Sequence, residues 1–318
     1  MKSITERIDH VTLIPQEYLK DVLPAPKSVK IEISPRCNYR CGFCALRTRA
    51  VQPKHDMDFE LFKRVTFQMR QAGVEEIGVF YLGESFMNPE LLINCINYLK
   101  KTIGMPYVFL TSNASIANPL AVEECMKAGL DSLKWSVNAA DDEQFEKIMG
   151  VATKLFDNAL RNIKAAWEAR TRGGYKTGLY ASSIHYDEQQ RKQMESLLAE
   201  RVLPYVDQHY WLPLYSMGAF ATRREEELGY RPTAGNQGRL GALRDPLPCW
   251  SAFTEGHVTA EGKLSACCFD ANANWVMGDL SKQSFMDAWN SEAFVKLRQA
   301  HLRKDVSGTV CQQCIAYG

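Results

Sequence analysis

The sequence has none of the long apolar runs that span membranes. No stretch approaches the roughly 18 consecutive apolar residues that such a helix needs. The first 20 residues carry scattered charges instead of the apolar core of a signal peptide. We therefore expect a cytoplasmic protein, in which thiols stay reduced. Its ten cysteines then indicate metal or redox chemistry rather than a disulfide framework.

The chain also lacks an excess of charge of either sign. Its 38 Lys and Arg residues against 37 Asp and Glu residues leave a net charge of +1. The composition therefore predicts neither nucleic acid nor a membrane surface as a partner. Internal repeats and low-complexity tracts are missing as well. With 46% hydrophobic and 24% charged residues in 318, the chain resembles an ordinary globular protein with one large domain and a smaller one.

Strand-like and helix-like stretches alternate from residue 28 to about residue 215, giving six β-then-α units. One of the helices is predicted to be capped by Asp58 and ended by Gly73. This order predicts an α/β fold with a parallel sheet and crossover helices, arranged as a partial barrel or as an open doubly wound sheet. Ligands of such folds gather at the C-terminal ends of the strands.

The rest of the chain divides into three parts by composition. Residues 1–27 form an extension before the first strand. Residues 216–248 are rich in Gly, Pro and charge and predict a linker or long loop. That segment is either a solvated connector or a flap in which Arg239 and Arg244 hold an anionic group of the substrate. Residues 249–318 form a small cysteine-bearing module that ends in one amphipathic helix.

Three cysteines, Cys37, Cys41 and Cys44, lie in the loop after the first predicted strand. Structural zinc would need a fourth ligand, and His55 is the nearest downstream histidine. A [4Fe–4S] cube held by three cysteines instead leaves one iron without a protein ligand, which a cofactor with an amine and a carboxylate can chelate. Two further cysteines lie at helical spacing among apolar residues and are predicted to be core side chains: Cys95 and Cys125.

The stretch "CNYRCGFC" resembles the signature of the radical S-adenosylmethionine (SAM) superfamily, with Phe43 as the aromatic residue before the last cysteine. A second stretch, "YLGES", resembles the Gly-Gly-Glu motif of that family, whose backbone receives the amino group of SAM. Gly83 and Glu84 match this motif, and Leu82 stands at its first glycine.

Two more stretches match the family in order and place. "LTSNAS" resembles its Thr-Asn-Gly stretch, with Ser112 and Asn113 in place and Ala114 at the glycine. "LKWSVNAADDEQFEKIMG" resembles its serine-bearing strand followed by a Tyr/Phe-x-x-Ile-x-Gly helix. The resemblance implies that Ser136 lies near the ribose or carboxylate of SAM.

The resemblance implies a partial (β/α)6 TIM-like barrel over residues 28–215. It also implies that the cysteine loop holds a [4Fe–4S] cluster of low potential to which SAM binds. The activity implied is reductive cleavage of SAM to a 5′-deoxyadenosyl radical, which takes a hydrogen atom from an unactivated C–H bond. An electron donor such as flavodoxin or ferredoxin would supply the electron. The protein's share would be positioning and the exclusion of water.

The C-terminal cysteines resemble the auxiliary-cluster domain of the same family in its short "twitch" or SPASM-type form. The matching pattern is Cys249, Gly262, Cys267 and the pair Cys311 and Cys314. The resemblance implies an auxiliary [4Fe–4S] cluster with four cysteine ligands. A zinc ribbon is the alternative, because two paired ligand groups suit zinc equally well.

Cys268 is a surplus thiol beside Cys267. It could pack, replace Cys267 as the ligand, or donate a hydrogen atom to a substrate radical. Transfer of the substrate's second electron to the auxiliary cluster would give oxidation, whereas hydrogen return by Cys268 would give epimerisation.

The substrate class is inferred from two features. The 27 residues before the first strand are too few for a peptide-recognition domain in front of the barrel, and one auxiliary cluster points the same way. We therefore expect a small polar substrate, of the sugar, aminocyclitol or nucleoside type, that is oxidised or epimerised. A peptide- or protein-modifying maturase is the alternative, and a non-enzymatic zinc or iron–sulfur protein is a third class.

Overall fold

Six parallel strands form the barrel part of the protein. The computed structural model describes residues 3–48, 54–217, 227–234, 245–270 and 275–314. The barrel strands, β1 to β6 in chain order, are Ser28–Ile31, Glu76–Gly78, Tyr107–Ser112, Ser132–Ser136, Gly178–His185 and Gln208–Pro213. Each of them pairs in parallel with the next one along the chain.

Helices make the connections between these strands, as parallel pairing requires. The helices, α1 to α7 in chain order, are Ile4–Thr12, Phe59–Ala72, Pro89–Asn97, Pro119–Ala128, Asp142–Met149, Lys154–Gly173 and Glu188–Arg201. The predicted ends of α2 are confirmed: the Asp58 side chain accepts a hydrogen bond from the Leu61 N–H, and Gly73 ends the helix at φ 100°. A cap of this kind is worth about 1 kcal/mol.

The C-terminal region extends the same sheet. Its strands, β7 to β9, are Glu255–Val258, Lys263–Ser265 and Val276–Asp279, and its helices, α8 to α10, are Ser251–Thr254, Phe285–Trp289 and Glu292–Leu302. β7 pairs in parallel with β1, and β8 and β9 follow antiparallel, giving nine strands in the order β6-β5-β4-β3-β2-β1-β7-β8-β9. The expected α/β fold, a partial (β/α)6 barrel with a C-terminal cysteine-rich part, is confirmed.

The prediction of one amphipathic helix near the C-terminus is wrong. The stretch forms two helices, α9 and α10, because Ser291 begins a new one: its hydroxyl accepts a hydrogen bond from the Phe294 N–H. Asn290 ends α9. Its side-chain amide accepts a hydrogen bond from the Leu23 N–H and donates one to the Leu23 carbonyl.

Side chains of the barrel strands alternate between the helices and the barrel interior. On β4, Leu133 and Trp135 are fully buried in the core, whereas Ser132, Lys134 and Ser136 line interior cavities. The period of two in a strand produces this division. Cys95 and Cys125 are fully buried core residues, as predicted.

The N-terminal extension packs against the barrel through α1. The Arg7 guanidinium lies 2.9 Å from the Glu76 carboxylate and 3.7 Å from the centre of the Tyr107 ring. Among the described residues, the helices are all too short or too polar to cross a membrane. Arg239 and Arg244 lie outside the described residues. In the described part of the 216–248 segment, Tyr230 accepts a hydrogen bond from Gln144.

Candidate functional site

The loop with the first three cysteines is held by the end of α5. The Arg40 and Gly42 N–H groups donate to the carbonyls of Met149 and Ile148, each at 2.8 Å. The ring of Tyr39 packs edge-on against Phe145, with 5.4 Å between centroids. The Phe-x-x-Ile-x-Gly helix therefore has a physical role here, because its last carbonyls fix the backbone between the cysteines.

A second set of contacts fixes the chain before the first cysteine. The Asp56 carboxylate accepts hydrogen bonds from the Ser34 hydroxyl, the Arg36 guanidinium and the Asn88 amide, at 2.7, 2.7 and 2.8 Å. Burial opposes the charge of Asp56, but these bonds outweigh it, and the pKa of the carboxyl lies below its ordinary value.

Gly83 lets the loop after β2 touch the backbone of the cysteine loop. A Cβ at this position would clash with the Ser34 carbonyl oxygen and would come within 2.9 Å of the Arg36 carbonyl oxygen. The next N–H, of Glu84, donates to the Arg36 carbonyl at 2.8 Å. Leu82, which departs from the family pattern, packs with Ala45 and Leu46 of the cysteine loop.

Glu84 ties the ends of β2 and β3 together. Its buried carboxylate accepts hydrogen bonds from the Ser112 hydroxyl at 3.0 Å and from the Asn113 N–H at 2.8 Å. Burial raises the pKa of Glu84, although these bonds and one from the Phe86 N–H oppose the rise. Ala114, which replaces the family's glycine, adopts the left-handed conformation that glycine favours, with φ 66°.

Asn113 connects this network to the cysteines. Its side-chain amide donates to the Asn38 side chain at 2.9 Å and lies 3.9 Å from the Cys37 sulfur. The amide oxygen accepts from the Ser115 N–H and hydroxyl, so the orientation of the amide is fixed.

One cavity of about 190 Å³, here called the cysteine cavity, brings the predicted residues together. All three cysteines and all six predicted cofactor-binding residues line it: Cys37, Cys41, Cys44, Phe43, Gly83, Glu84, Ser112, Asn113 and Ser136. Thiolates are the ligands of iron–sulfur clusters, so three thiols facing one cavity suit such a group. Among the described residues, no three His, Cys, Asp or Glu side chains converge as they would around a single metal ion.

The C-terminal cysteines meet although they are far apart in sequence. Burial and the neighbouring Cys268, Cys311 and Cys249 thiols hold the pKa of Cys267 well above its usual value. Burial also raises the pKa of Cys311, and Cys249 and Cys314 add to the rise. Cys249, Cys267 and Cys311 are therefore neighbours, and Cys314 lies near Cys311.

His301 links two of these cysteines. Its Nδ1 accepts a hydrogen bond from the Cys249 N–H at 3.1 Å, and its Nε2 lies 3.3 Å from the Cys311 sulfur. Burial lowers the pKa of His301 to about 4, so the ring is neutral. Because Nδ1 accepts, the proton is on Nε2, which donates to the sulfur of Cys311.

Cys267 and Cys268 have different surroundings. The Cys267 carbonyl accepts a hydrogen bond at 2.9 Å from the hydroxyl of Tyr81, a residue that lines the cysteine cavity. Cys268 instead lines a second cavity of about 230 Å³ inside the barrel, here called the inner chamber.

The inner chamber lies between the two cysteine sites. It shares Phe80 and Thr111 with the cysteine cavity, and Trp250, Cys268 and Phe269 line it from the C-terminal region. Residues of α1 line it as well. A group held in this chamber would therefore adjoin both sites.

A buried ion pair joins β1 to β7 in the wall of the inner chamber. The Lys30 ammonium lies 2.8 Å from the Glu255 carboxylate, which also contacts His257 Nε2 at 2.8 Å. Burial opposes the charge of Glu255, but Lys30 and His257 outweigh it and lower its pKa to about 2. Burial lowers the pKa of His257, although the neighbouring Glu255 carboxylate opposes this effect.

Sequence reasoning did not identify several residues of these sites: Lys30, Tyr81, Lys134, Glu255, His257 and His301. A lysine in the middle of a strand, as in "SVKIEIS" and "SLKWSVN", was an available signal, because parallel strands are usually apolar throughout. The partners of these lysines, and those of His301, follow only from the tertiary structure.

Two family models match the chain. The radical SAM superfamily model covers residues 31–193, just over half of the chain, and SPASM, an iron–sulfur cluster-binding domain, covers residues 249–315. The chain therefore belongs to the radical SAM superfamily. Its cofactors are SAM, the [4Fe–4S] cluster that binds SAM, and an auxiliary [4Fe–4S] cluster.

Two relatives align with most of the chain and with nearly half of it, respectively. The PqqA peptide cyclase of Xanthomonas axonopodis pv. citri (strain 306) is 24% identical over 317 aligned residues, covering 92% of this chain and 81% of the relative. The probable GTP 3′,8-cyclase of Thermoplasma volcanium is 29% identical over 142 residues, covering 45% of this chain and 41% of the relative.

Solved structures share the fold at low sequence identity. SuiB of Streptococcus suis bound to the precursor peptide SuiA has a TM-score of 0.67 at 14% identity, covering 93% of this chain and 71% of that chain. BtrN in complex with AdoMet and 2-DOIA has a TM-score of 0.58 at 14% identity. The match covers 91% of this chain and 92% of that chain.

Proposed function

We propose that this radical SAM enzyme modifies a peptide, by removing a hydrogen atom from one of its side chains. The observation that carries the proposal is the match to PqqA peptide cyclases, which extends over 92% of the chain and so includes both cysteine regions. The likeness to SuiB, whose structure holds a precursor peptide, agrees with it. The small polar substrate expected from the sequence has less support than this alternative.

In this proposal the cysteine cavity is the cofactor site. Cys37, Cys41 and Cys44 would hold the cluster, and the backbone at Gly83 and the side chains of Asn113 and Ser136, which line the same cavity, would bind SAM. The bound cluster and SAM would supply the hydrogen-abstracting radical. Glu84 acts through position, because it fixes the strand ends that carry Ser112 and Asn113. Phe43 lines the same cavity, where its ring would help to exclude water.

The inner chamber is the place proposed for the reacting side chain. Its volume of about 230 Å³ is below the roughly 300 Å³ at which sites for drug-sized ligands begin. It therefore suits one side chain, with the peptide backbone left outside. Cys249, Cys267, Cys311 and Cys314 are the proposed ligands of the auxiliary cluster. That cluster would accept the substrate's second electron. A flavodoxin or ferredoxin is the proposed electron donor.

Mass spectrometry tests this function. The anaerobically reconstituted enzyme, SAM and a reductant are incubated with short peptides encoded beside its gene. We expect a product that has lost two hydrogen atoms, with the new bond located by fragmentation. Formation of 5′-deoxyadenosine with every peptide unchanged would count against the proposal.

A small polar substrate remains the second candidate, because one structural observation favours it. BtrN, solved with 2-DOIA, matches this chain over 92% of its own length, and the inner chamber is of a size that a small metabolite fills. Incubation with sugars, aminocyclitols and nucleosides in the same assay, with analysis for oxidised or epimerised products, distinguishes the two.

A further inference from the structure

The inner chamber carries one positive charge more than its own carboxylates balance. The charged residues that line it are three cations and two carboxylates: Arg7, Lys30, Lys134, Glu76 and Glu255. Arg7 pairs with Glu76 at 2.9 Å, and Lys30 pairs with Glu255 at 2.8 Å. Lys134 is the cation left over.

Lys134 is half-buried inside the barrel, and its side chain lines the chamber. It lies in the middle of β4, where the side chains on either side of it in sequence, Leu133 and Trp135, face the core. Its ammonium lies 5.9 Å from the centre of the Tyr210 ring, a cation–π distance. Within the described ranges, Lys134 has neither a carboxylate partner nor a hydrogen-bond acceptor.

An ammonium without a counter-ion is unfavourable in such a place. Partial removal of a charge from water is unfavourable unless a partner of opposite charge replaces the solvent. Burial lowers the pKa of Lys134 to about 8, and the nearby Lys30 adds to the effect. The group is thus still mostly protonated at neutral pH. An unfavourable charge at an interior position is typical of sites that await a ligand.

We propose that Lys134 binds a carboxylate of the substrate group that enters the inner chamber. The inference rests on the proposed function only in taking this chamber as the substrate site. For a peptide substrate, the carboxylate is that of an Asp or Glu side chain or of the C-terminus. For a small substrate, it is an acid group on the molecule.

The register of the sheet agrees with this role. Lys134 precedes Ser136, which lines the cysteine cavity, by two residues, or about 7 Å along the strand. Its register partner on β3, Thr111, lines both cavities. A substrate carboxylate bound to Lys134 would therefore lie two residues along β4 from the cofactor site. The substrate carbon atoms next to that carboxylate would face the cofactor site.

Binding of matched charged and neutral probes tests the proposal. The peptide-like pair is N-acetyl-glutamate amide and N-acetyl-glutamine amide, and the non-peptide pair is cyclohexanecarboxylate and cyclohexanecarboxamide. Affinities are measured by saturation-transfer NMR on the oxidised, anaerobic holoenzyme with SAM, so no turnover is needed. The variants are Lys134→Met, Lys134→Arg and, as a control, Lys282→Met, whose side chain is 80% exposed.

We expect at least tenfold tighter binding of the peptide-like carboxylate than of its amide. Lys134→Met should remove this preference, whereas Lys134→Arg and Lys282→Met should keep it. If only cyclohexanecarboxylate shows a preference that depends on Lys134, the inference stands and the peptide substrate loses support. Equal binding of acid and amide in every pair, or binding that does not depend on Lys134, would overturn the inference, whatever the peptide mass assay finds.

Thermal stability supplies a second readout. Lys134→Met should raise the unfolding midpoint of the ligand-free holoenzyme by a few degrees, because it removes an unpaired interior cation without leaving a cavity. A lower midpoint would mean that the protein itself provides a partner for Lys134, and would contradict the proposal.

Discussion

The two cysteine sites are built in different ways. Cys37, Cys41 and Cys44 lie within eight residues of one loop, whereas the auxiliary cysteines are spread from Cys249 to Cys314. The first site is shaped by contacts at neighbouring strand ends, such as Gly83 against the cysteine loop. The second forms only when β7 pairs with β1 and α10 brings His301 between two cysteines.

The difference shows how each site is fixed in place. The local site needs close backbone approach, so small steric changes should disturb it. The assembled site needs tertiary contacts, so loss of a single buried hydrogen bond should change its properties without removing it. Substitutions at the two sites should therefore have different effects.

Replacing Cys37, Cys41 and Cys44 with Ala should have the largest effect. Reductive cleavage of SAM should fall to background, at least a hundredfold, because the SAM-binding cluster loses its ligands. The auxiliary cluster should remain visible by electron paramagnetic resonance (EPR). Cys95→Ala, in the buried face of α3, is the control. It should keep both the cleavage of SAM and the EPR signal of the auxiliary cluster. Persistent 5′-deoxyadenosine from the triple variant would show that these cysteines do not hold the cluster.

Cys268→Ala tests whether the chamber thiol donates hydrogen. A donor role predicts that product formed in D2O carries one solvent deuterium. It also predicts that the variant makes 5′-deoxyadenosine but no product, because the substrate radical is not quenched. Cys125→Ala, a core cysteine, serves as the control. Full product formation by Cys268→Ala would end the donor role and leave Cys268 as a packing residue of the chamber.

Gly83→Ala should disturb the local site selectively. The added methyl group meets backbone carbonyls, which cannot move aside as a side chain can. We expect a loss of about 1–3 kcal/mol in the free energy of unfolding and reduced occupancy of the SAM-binding cluster. Gly174→Ala is the comparison, since φ is 64° there but no atom lies within 4 Å. It should cost about 1 kcal/mol and leave both clusters intact; equal effects of the two on cluster content would refute the steric argument.

His301→Phe should have the smallest effect on turnover and a specific effect on the assembled site. Loss of the hydrogen bond to Cys311 should lower the midpoint potential of the auxiliary cluster, because hydrogen bonds to cluster sulfurs raise it. Loss of the hydrogen bond that His301 accepts from the Cys249 N–H should cost about 1 kcal/mol of stability. His55→Phe, at an exposed position, is the control in an EPR-monitored redox titration. An unchanged auxiliary potential in His301→Phe would show that the bond does not tune the cluster.

The sequence predicted the local features of this molecule well. The run "YVFLTS" is β3 over its full length, and Asp58 and Gly73 bound α2 as expected. The nine residues predicted for the first cluster and SAM face one cavity, because their motifs all follow parallel strands and such strand ends meet at one edge of the sheet.

What the sequence did not predict depends on contacts between distant segments. The charge of Lys30 is balanced by Glu255 only because β1 and β7 are neighbours in space. The proton position on His301 follows from the Cys249 N–H, 52 residues away. The split between α9 and α10 was missed because the apolar pattern continues across Ser291 although its hydroxyl caps a new helix.

EPR spectroscopy of the reduced enzyme with and without SAM, combined with iron and sulfide analysis, is the sharpest test of the two-cluster assignment. We expect two [4Fe–4S] clusters per chain. SAM should change the signal of only the cluster that the Cys37, Cys41 and Cys44 variant loses, because that cluster alone has an iron open to it. Zinc without sulfide, or a SAM-dependent change in the signal that the triple variant retains, would contradict this assignment of the two clusters.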